Sequence, residues 1–289
     1  MEEKVTFDSD GLALAGTVRR PAGMKAGDKR PAIVIMLGFG GHQDGPQQRW
    51  SSRQYAEWGY MTLCFDFRGC GDSEGERGHV TPAIETADAR AAMAYLAGRD
   101  DVDADRIALS GTSYGAIVAI SAAAEDPRAK AVIAQGGWGN SRNLFRSLHP
   151  TEEAWAKFTD MVERGRKHKE ETGEHSRAHR FDIVPIPEDL RPFIDERSIF
   201  DFTVGTAQAT LDFNPETVVA KVAPRPLLLI TSALDQVVPP EGSMELFRAA
   251  GQPTDLNLFS GVDHFMFGED DPRVVNLVGD WLAKYFPAG

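Results

Sequence analysis

This chain of 289 residues has only two cysteines, no long apolar run and no excess of positive charge. Cys64 and Cys70 fit no metal-ligand or redox spacing, so a disulfide scaffold is excluded and a reduced, cytoplasmic protein is expected. Cys64 lies inside an apolar strand and is expected to be buried, whereas Cys70 sits in a glycine-rich loop and is expected to be partly exposed. No apolar stretch reaches the ~18–20 residues of a membrane span. The first 20 residues are charged and alternate like a strand, which is not the pattern of a leader. A formal charge of −12 without any basic stripe argues against nucleic acid and anionic membranes as partners. There is no G-x-x-x-x-G-K-[ST] and no G-x-G-x-x-G, so neither a phosphate loop nor a dinucleotide cofactor is expected. His175 and His179 stand four apart, but no third ligand accompanies them and no metal is expected.

Against these absences stands one segment, Ala108-Leu109-Ser110-Gly111-Thr112-Ser113-Tyr114-Gly115-Ala116. Arg106–Leu109 reads as a short buried strand. Tyr114–Ala124 is rich in Ala, Ile and Val and meets no helix breaker before Asp126-Pro127. A G-x-S-x-G between strand and helix is the nucleophile elbow, a strained turn that lifts a serine hydroxyl clear of the sheet. Gly111 and Gly115 are required because side chains there would collide as the backbone doubles back. Ser113 then stands at a helix N-terminus, where free N–H groups favour developing negative charge.

A serine nucleophile needs a base and an acid that orients the base. Pro226–Thr231 is a continuous apolar run, as expected of a strand buried on both faces, and Asp235 falls in the loop beyond it. Leu256–Phe259 alternates as a strand, and His264 falls in the next loop. Active residues of parallel sheets gather at such carboxyl ends. His264 would take the Ser113 proton and return it to the leaving group, and Asp235 would fix the imidazole tautomer. Asp263 is a weaker acid, since chain neighbours rarely form that bond. The oxyanion needs two backbone donors. The first is Tyr114 N–H. The second comes from Leu37–Gly41, the glycine-rich turn after the strand 32–37, with Phe39 N–H assigned and Gly40 the alternative.

With Leu37-Gly38-Phe39-Gly40-Gly41, Gly111-Thr112-Ser113-Tyr114-Gly115, Asp235 and His264 in place, nearly the whole chain resembles the α/β-hydrolase superfamily. Phe65–Gly75 looks like the D-x-R-G-x-G-x-S-x-G loop of many members. The chain is most similar to the dienelactone-hydrolase-like and dipeptidyl-peptidase-like groups, which include esterases, acyl hydrolases and acyl-transferring polyketide enzymes. The resemblance implies a mostly parallel central sheet flanked by helices, with an inserted, largely helical cap. It also implies a serine hydrolase acting on a small-molecule ester, thioester or related acyl compound. Acyl transfer, peptidase or amidase action and carbon–carbon hydrolysis use the same three residues, and a catalytically idle ligand receptor is the reading outside enzymes. Many relatives carry His where this chain has Leu37, so a hydrogen bond bracing their oxyanion loop would be missing here.

The chain divides accordingly. Residues 1–139 and 216–289 are read as the core, and 140–215 as the cap, because about 90 residues separate the strand 131–135 from the next core strand. Val5–Phe7 and Leu12–Val18 form an N-terminal hairpin. Core strands are expected at 32–37, 61–66, 106–110, 131–135, 226–232 and 255–260, and helices at about 47–58, 82–98, 114–125, 241–250 and 272–285. Within the cap, Ala154, Trp155, Phe158, Met161 and Val162 mark one helical face. Gly40, Trp138, Phe145 and Phe265 are candidates for substrate contact, with Phe193, Phe200 and Phe202 as further aromatics of an acyl pocket. Either His42 or His79 could contact substrate, with a structural or surface role the first reading, and Arg68 and Asp66 are expected to brace their loop. A homodimer is the default should the chain associate.

Overall fold

The computed structural model describes residues 1–264, 266–269 and 271–289. Eight strands form one sheet. The first six of the chain's strands are β1 (Glu2–Ser9), β2 (Leu12–Arg19), β3 (Arg30–Met36), β4 (Met61–Phe65), β5 (Val102–Thr112) and β6 (Ala129–Gln135). Two short strands, β7 (Arg177–His179) and β8 (Asp201–Thr203), pair with each other outside the main sheet. β9 (Leu227–Ser232) and β10 (Thr254–Phe259) complete the main sheet, whose order is β1-β2-β4-β3-β5-β6-β9-β10. The β1–β2 and β2–β4 pairs at one edge are antiparallel, and from β4 to β10 every pair is parallel. The parallel strands are apolar runs because both faces are covered: Ala32–Met36, Met61–Phe65 and Leu227–Ser232 are buried throughout.

Helices α1 (Pro46–Glu57), α2 (Pro82–Ala97) and α3 (Tyr114–Glu125) cross between strands. α2 begins where Thr81 accepts a hydrogen bond from Ile84 N–H at 3.2 Å, with Pro82 in the first turn. Between β6 and β9 come α4 (Ser141–Leu148), α5 (Glu152–Thr172), α6 (Arg180–Ile183) and α7 (Val204–Leu211), so the insertion is largely helical with one small strand pair. α8 (Pro240–Ala249) and α9 (Pro272–Tyr285) follow β9 and β10. In α5 the predicted face is the one that packs: Phe158 and Val162 are buried, Trp155 and Met161 half-buried, and the charged run from Glu163 is exposed except for Gly165.

Two sequence expectations differ from the structure. β5 starts at Val102, four residues early, because Arg30 pairs with Val102 across a register shift while polar Asp103–Asp105 carry no apolar signal. Cys70 is buried at 1 % exposure, because the loop after β4 folds back through the hydrogen bonds Gly69 N–H to Glu74 O and Gly78 N–H to Gly69 O. Both thiols are free, and burial pushes both well above the usual range. No helix among the described residues is long and apolar enough to cross a membrane.

Candidate active site

β5 ends at Thr112 and α3 begins at Tyr114, so Ser113 is the whole of the turn between them. Its backbone is forced to φ +58°, ψ −120°, a conformation that a non-glycine residue holds at a cost of ~1–3 kcal/mol. Ser113 N–H donates to Gln135 O at 2.7 Å, which ties the turn to the end of β6. The flanking glycines are sterically obligatory. A Cβ on Gly111 would lie 2.0 Å from Gly115 O, and one on Gly115 would lie 2.5 Å from Met36 O.

Asp235 and His264 reach the same end of the sheet from the loops after β9 and β10. His264 Nδ1 lies 2.6 Å from Asp235 Oδ2, and both side chains are buried. The other carboxylate oxygen, Oδ1, accepts from Val237 N–H and Val238 N–H, each at 2.8 Å. Those two bonds hold the carboxylate in place against the imidazole. Ser232 Oγ donates to Val262 O at 2.8 Å and joins the two loops. Gly136 leaves room for the ring: a Cβ there would stand 3.1 Å from His264 Cε1. Asp263 is half-buried, and it is Asp235 whose carboxylate meets His264 Nδ1.

Ser113 and His264 line one cleft of about 500 Å³, together with Gly38, Phe39, His42, Gln47, Arg180, Ile186, Phe193 and Asp195. A second, much smaller pocket of about 30 Å³ also opens on Ser113, and its walls are Phe39, Tyr114, Trp138, Leu144, Phe145, Leu148, Val184, Thr210, Val237 and Val238. Trp138 and Phe145 therefore stand beside Ser113. Of the other aromatics, Phe202 is buried and stacks on Phe39 at 4.1 Å, and Phe193 is exposed at the rim of the cleft. Phe200 instead packs near His179 and Phe181. Phe265 lies outside the described residues. The Leu37–Gly41 turn passes against the serine, since a Cβ on Gly38 would be 3.6 Å from Ser113 Cβ.

The expected lack of a brace on that turn is corrected by the insertion. Arg180 Nη2 donates to Phe39 O at 2.7 Å, and Ile199 N–H donates to Gly40 O at 2.9 Å. Nothing in the local sequence Arg180-Phe181-Asp182-Ile183 announces such a role. His42, also in the cleft wall, donates from Nε2 to Asp195 Oδ1 at 2.8 Å. His175 does not pair with His179. It stacks on His79 at 4.6 Å, and with Glu76 the three offer ligand-type atoms within 4.8 Å of one another, where the insertion meets the core. Asp66 accepts from Gln43 N–H at 2.6 Å and Asp72 N–H at 2.9 Å, and Arg68 pairs with Asp88 at 2.6 Å and Asp10 at 2.8 Å.

Residues 10–266 match the model of the X-Pro dipeptidyl-peptidase (S15) family. An uncharacterized 31.7 kDa Escherichia coli protein from the traX-finO intergenic region is 30% identical over 96% of this chain and 97% of its own length. The acyltransferase drtE of Aspergillus calidoustus is 26% identical, over 92% of this chain and 91% of that one. Among solved structures, the α/β hydrolase GrgF from Penicillium sp. sh18 superposes with a TM-score of 0.81 at 23% identity and covers 99% of both chains. The fold is that of the α/β hydrolases.

Proposed function

This chain belongs to the X-Pro dipeptidyl-peptidase (S15) family of α/β-fold hydrolases, and from that premise we propose a carboxylic-ester or thioester hydrolase working through an acyl-enzyme on Ser113. The observation that carries the reading is the convergence on one cleft of a strained serine and a histidine held at 2.6 Å by a buried, twice-bonded carboxylate. Ser113 Oγ attacks the acyl carbon as His264 takes its proton. The oxyanion is met by Tyr114 N–H and Phe39 N–H. His264 returns the proton to the departing alcohol or thiol, then activates the water that releases the acid.

The two cavities suit the two halves of such a substrate. The small apolar pocket takes a short acyl chain, and the larger cleft takes the leaving group. An X-Pro dipeptide would bring a free ammonium, for which Asp195 is the carboxylate among the described residues of the cleft wall, so the assay below compares ester and dipeptide directly. Acyl transfer is the second reading, supported by the acyltransferase name of a relative aligned over nine-tenths of both chains. We treat residues 140–215 as a cap that closes both cavities, since Phe145, Leu148, Arg180 and Ile186 belong to it.

The test is hydrolysis of p-nitrophenyl acetate beside a glycyl-prolyl p-nitroanilide, with and without added alcohol or amine acceptors. Ser113→Ala should lower ester turnover by ~10⁴–10⁶ and abolish labelling by a fluorophosphonate. Full turnover in that variant refutes the mechanism. Faster cleavage of the anilide restores the peptidase reading, and diversion of the acyl group to acceptor favours transfer.

A further inference from the structure

The turn that carries the second oxyanion donor is held by the insertion. Within the core, its own backbone bond is Gly41 N–H to Gly38 O at 2.9 Å. Three contacts arrive from residues 180–202. Arg180 Nη2 bonds Phe39 O, Ile199 N–H bonds Gly40 O, and the Phe202 ring lies on the Phe39 ring at 4.1 Å with an 11° tilt. The fit leaves no slack, because a Cβ on Gly40 would stand 2.5 Å from Phe202 Cζ.

Arg180 is the unusual member. Its residue is only 7 % exposed, and no carboxylate pairs with it among the described residues. Nη1 donates to Ile199 O at 3.0 Å, the guanidinium carbon sits 5.5 Å over the Phe39 ring, and Nε is buried without a partner. Burial pushes its pKa down to about 10, and it remains a cation at any ordinary pH. An uncompensated buried charge is costly, and an apolar side chain in its place would pack at less expense. A role for the charge accounts for its presence. It faces the cleft that Ser113 and His264 line, where the developing charge of acyl transfer is negative.

We propose that Arg180 is a positioning residue for the oxyanion. Its charge-assisted bond to Phe39 O fixes the peptide whose neighbouring N–H receives the oxyanion, so seating the insertion and assembling the oxyanion site are one event. This rests on the reading of Ser113 as nucleophile and Phe39 N–H as donor.

The experiment measures p-nitrophenyl acetate hydrolysis and inhibition by an aliphatic trifluoromethyl ketone in the full-length protein. The ketone carbon takes the Ser113 oxygen, the hydroxyl proton passes to His264, and the former carbonyl oxygen becomes the bound oxyanion. Arg180→Met should lower kcat by about 10²-fold with KM changed by less than about threefold, as a displacement near 1 Å in an oxyanion donor would. The ketone Ki should rise by the same factor as kcat/KM falls. Arg180→Lys, keeping one charged donor, should recover at least tenfold of the loss, and Phe202→Leu should lose less than Arg180→Met. Wild-type kcat and Ki in Arg180→Met overturn the proposal, as does an equal loss in Lys and Met variants that tracks thermal stability with the ratio of Ki to KM unmoved. Ser113→Ala in the same assay separates the two levels. If it stays active the underlying mechanism fails, whereas inactive Ser113→Ala with unaffected Arg180→Met removes the positioning role alone.

Discussion

Leu148→Ala should turn a short-chain enzyme into one that accepts medium chains. The small pocket beside Ser113 measures about 30 Å³, room for two or three water-sized groups and hence for an acetyl or propionyl tail. Leu148 stands in its wall at the last turn of α4, where it is only half-buried, so its truncation leaves the core intact. Phe145 is a poorer choice. It is buried and stacks on Phe158 at 4.9 Å, and its removal would cost ~3–5 kcal/mol of stability. Leu148→Ala removes three carbons from the wall. If three acyl methylenes take their place at ~0.8 kcal/mol each, the transition state for the longer ester gains up to ~2.4 kcal/mol, about 60-fold. The assay is kcat/KM for p-nitrophenyl esters from acetate to octanoate in both proteins. The wild type should fall steeply beyond propionate, and in the variant the hexanoate-to-acetate ratio should rise by one to two orders of magnitude. A wild type that cleaves octanoate as fast as acetate, or a variant with an unchanged ratio, would place the acyl chain in the larger cleft and refute the assignment of the two cavities.

Two further predictions concern stability. Asp88 is fully buried and accepts from Ser9 Oγ at 2.7 Å, Arg68 N–H at 3.0 Å and Arg68 Nε at 2.8 Å; Asp88→Asn should therefore cost ~3 kcal/mol, at the low end for a broken buried pair because Asp10 still holds Arg68, and urea unfolding that shows a loss below ~1 kcal/mol would contradict this. His149 is buried against the Phe158 ring at 4.4 Å, and burial lowers its pKa below 6.5; the unfolded chain then takes its proton first as pH falls, so stability held above pH 6.5 is lost below it at up to ~1.4 kcal/mol per pH unit, and His149→Gln should flatten that share of a pH series of urea melts.

The sheet, the elbow and the loop bearing Asp235 were legible because they rest on apolar runs that a doubly covered parallel strand explains: β9 is buried throughout, as are residues 107–111 of β5. The loop bearing His264 was legible from the alternation of the strand before it, since β10 is a part-buried edge strand. The brace on the oxyanion turn was not legible. Arg180 and Phe39 are 141 residues apart, and the bond is to a backbone carbonyl, so no pairing of residue types foreshadows it. The aromatics of the insertion were legible only as a group. Phe145 and Phe202 both read as aromatics of an acyl pocket, yet Phe202 stacks on Phe39 and Phe145 lines the pocket beside Ser113. Which surface an apolar residue meets depends on the path of the insertion, and periodicity does not encode that path.

That path has two separate anchorages, and their separation matters for how the site can change. The α4 end is tied to the core through acids on and before α8: Asn140 N–H donates to Glu245 at 3.0 Å, Asn140 Nδ2 to Glu216 at 2.8 Å, and Asn143 Nδ2 to Glu245 at 2.7 Å. The strand β8 end is tied through the loop after β4, with Thr203 N–H on Gly78 O at 3.0 Å and Val80 N–H on Thr206 Oγ1 at 2.9 Å. Under the proposed reading the first anchorage positions the acyl wall and the second the brace on Phe39. Their separation is incomplete, because Thr206 of the second anchorage and Thr210 of the pocket wall both lie on α7, where Thr210 Oγ1 donates to Thr206 O at 2.8 Å. Leu148 on α4 takes part in neither set of hydrogen bonds, so its truncation tests the wall, whereas a change on α7 would move wall and brace together.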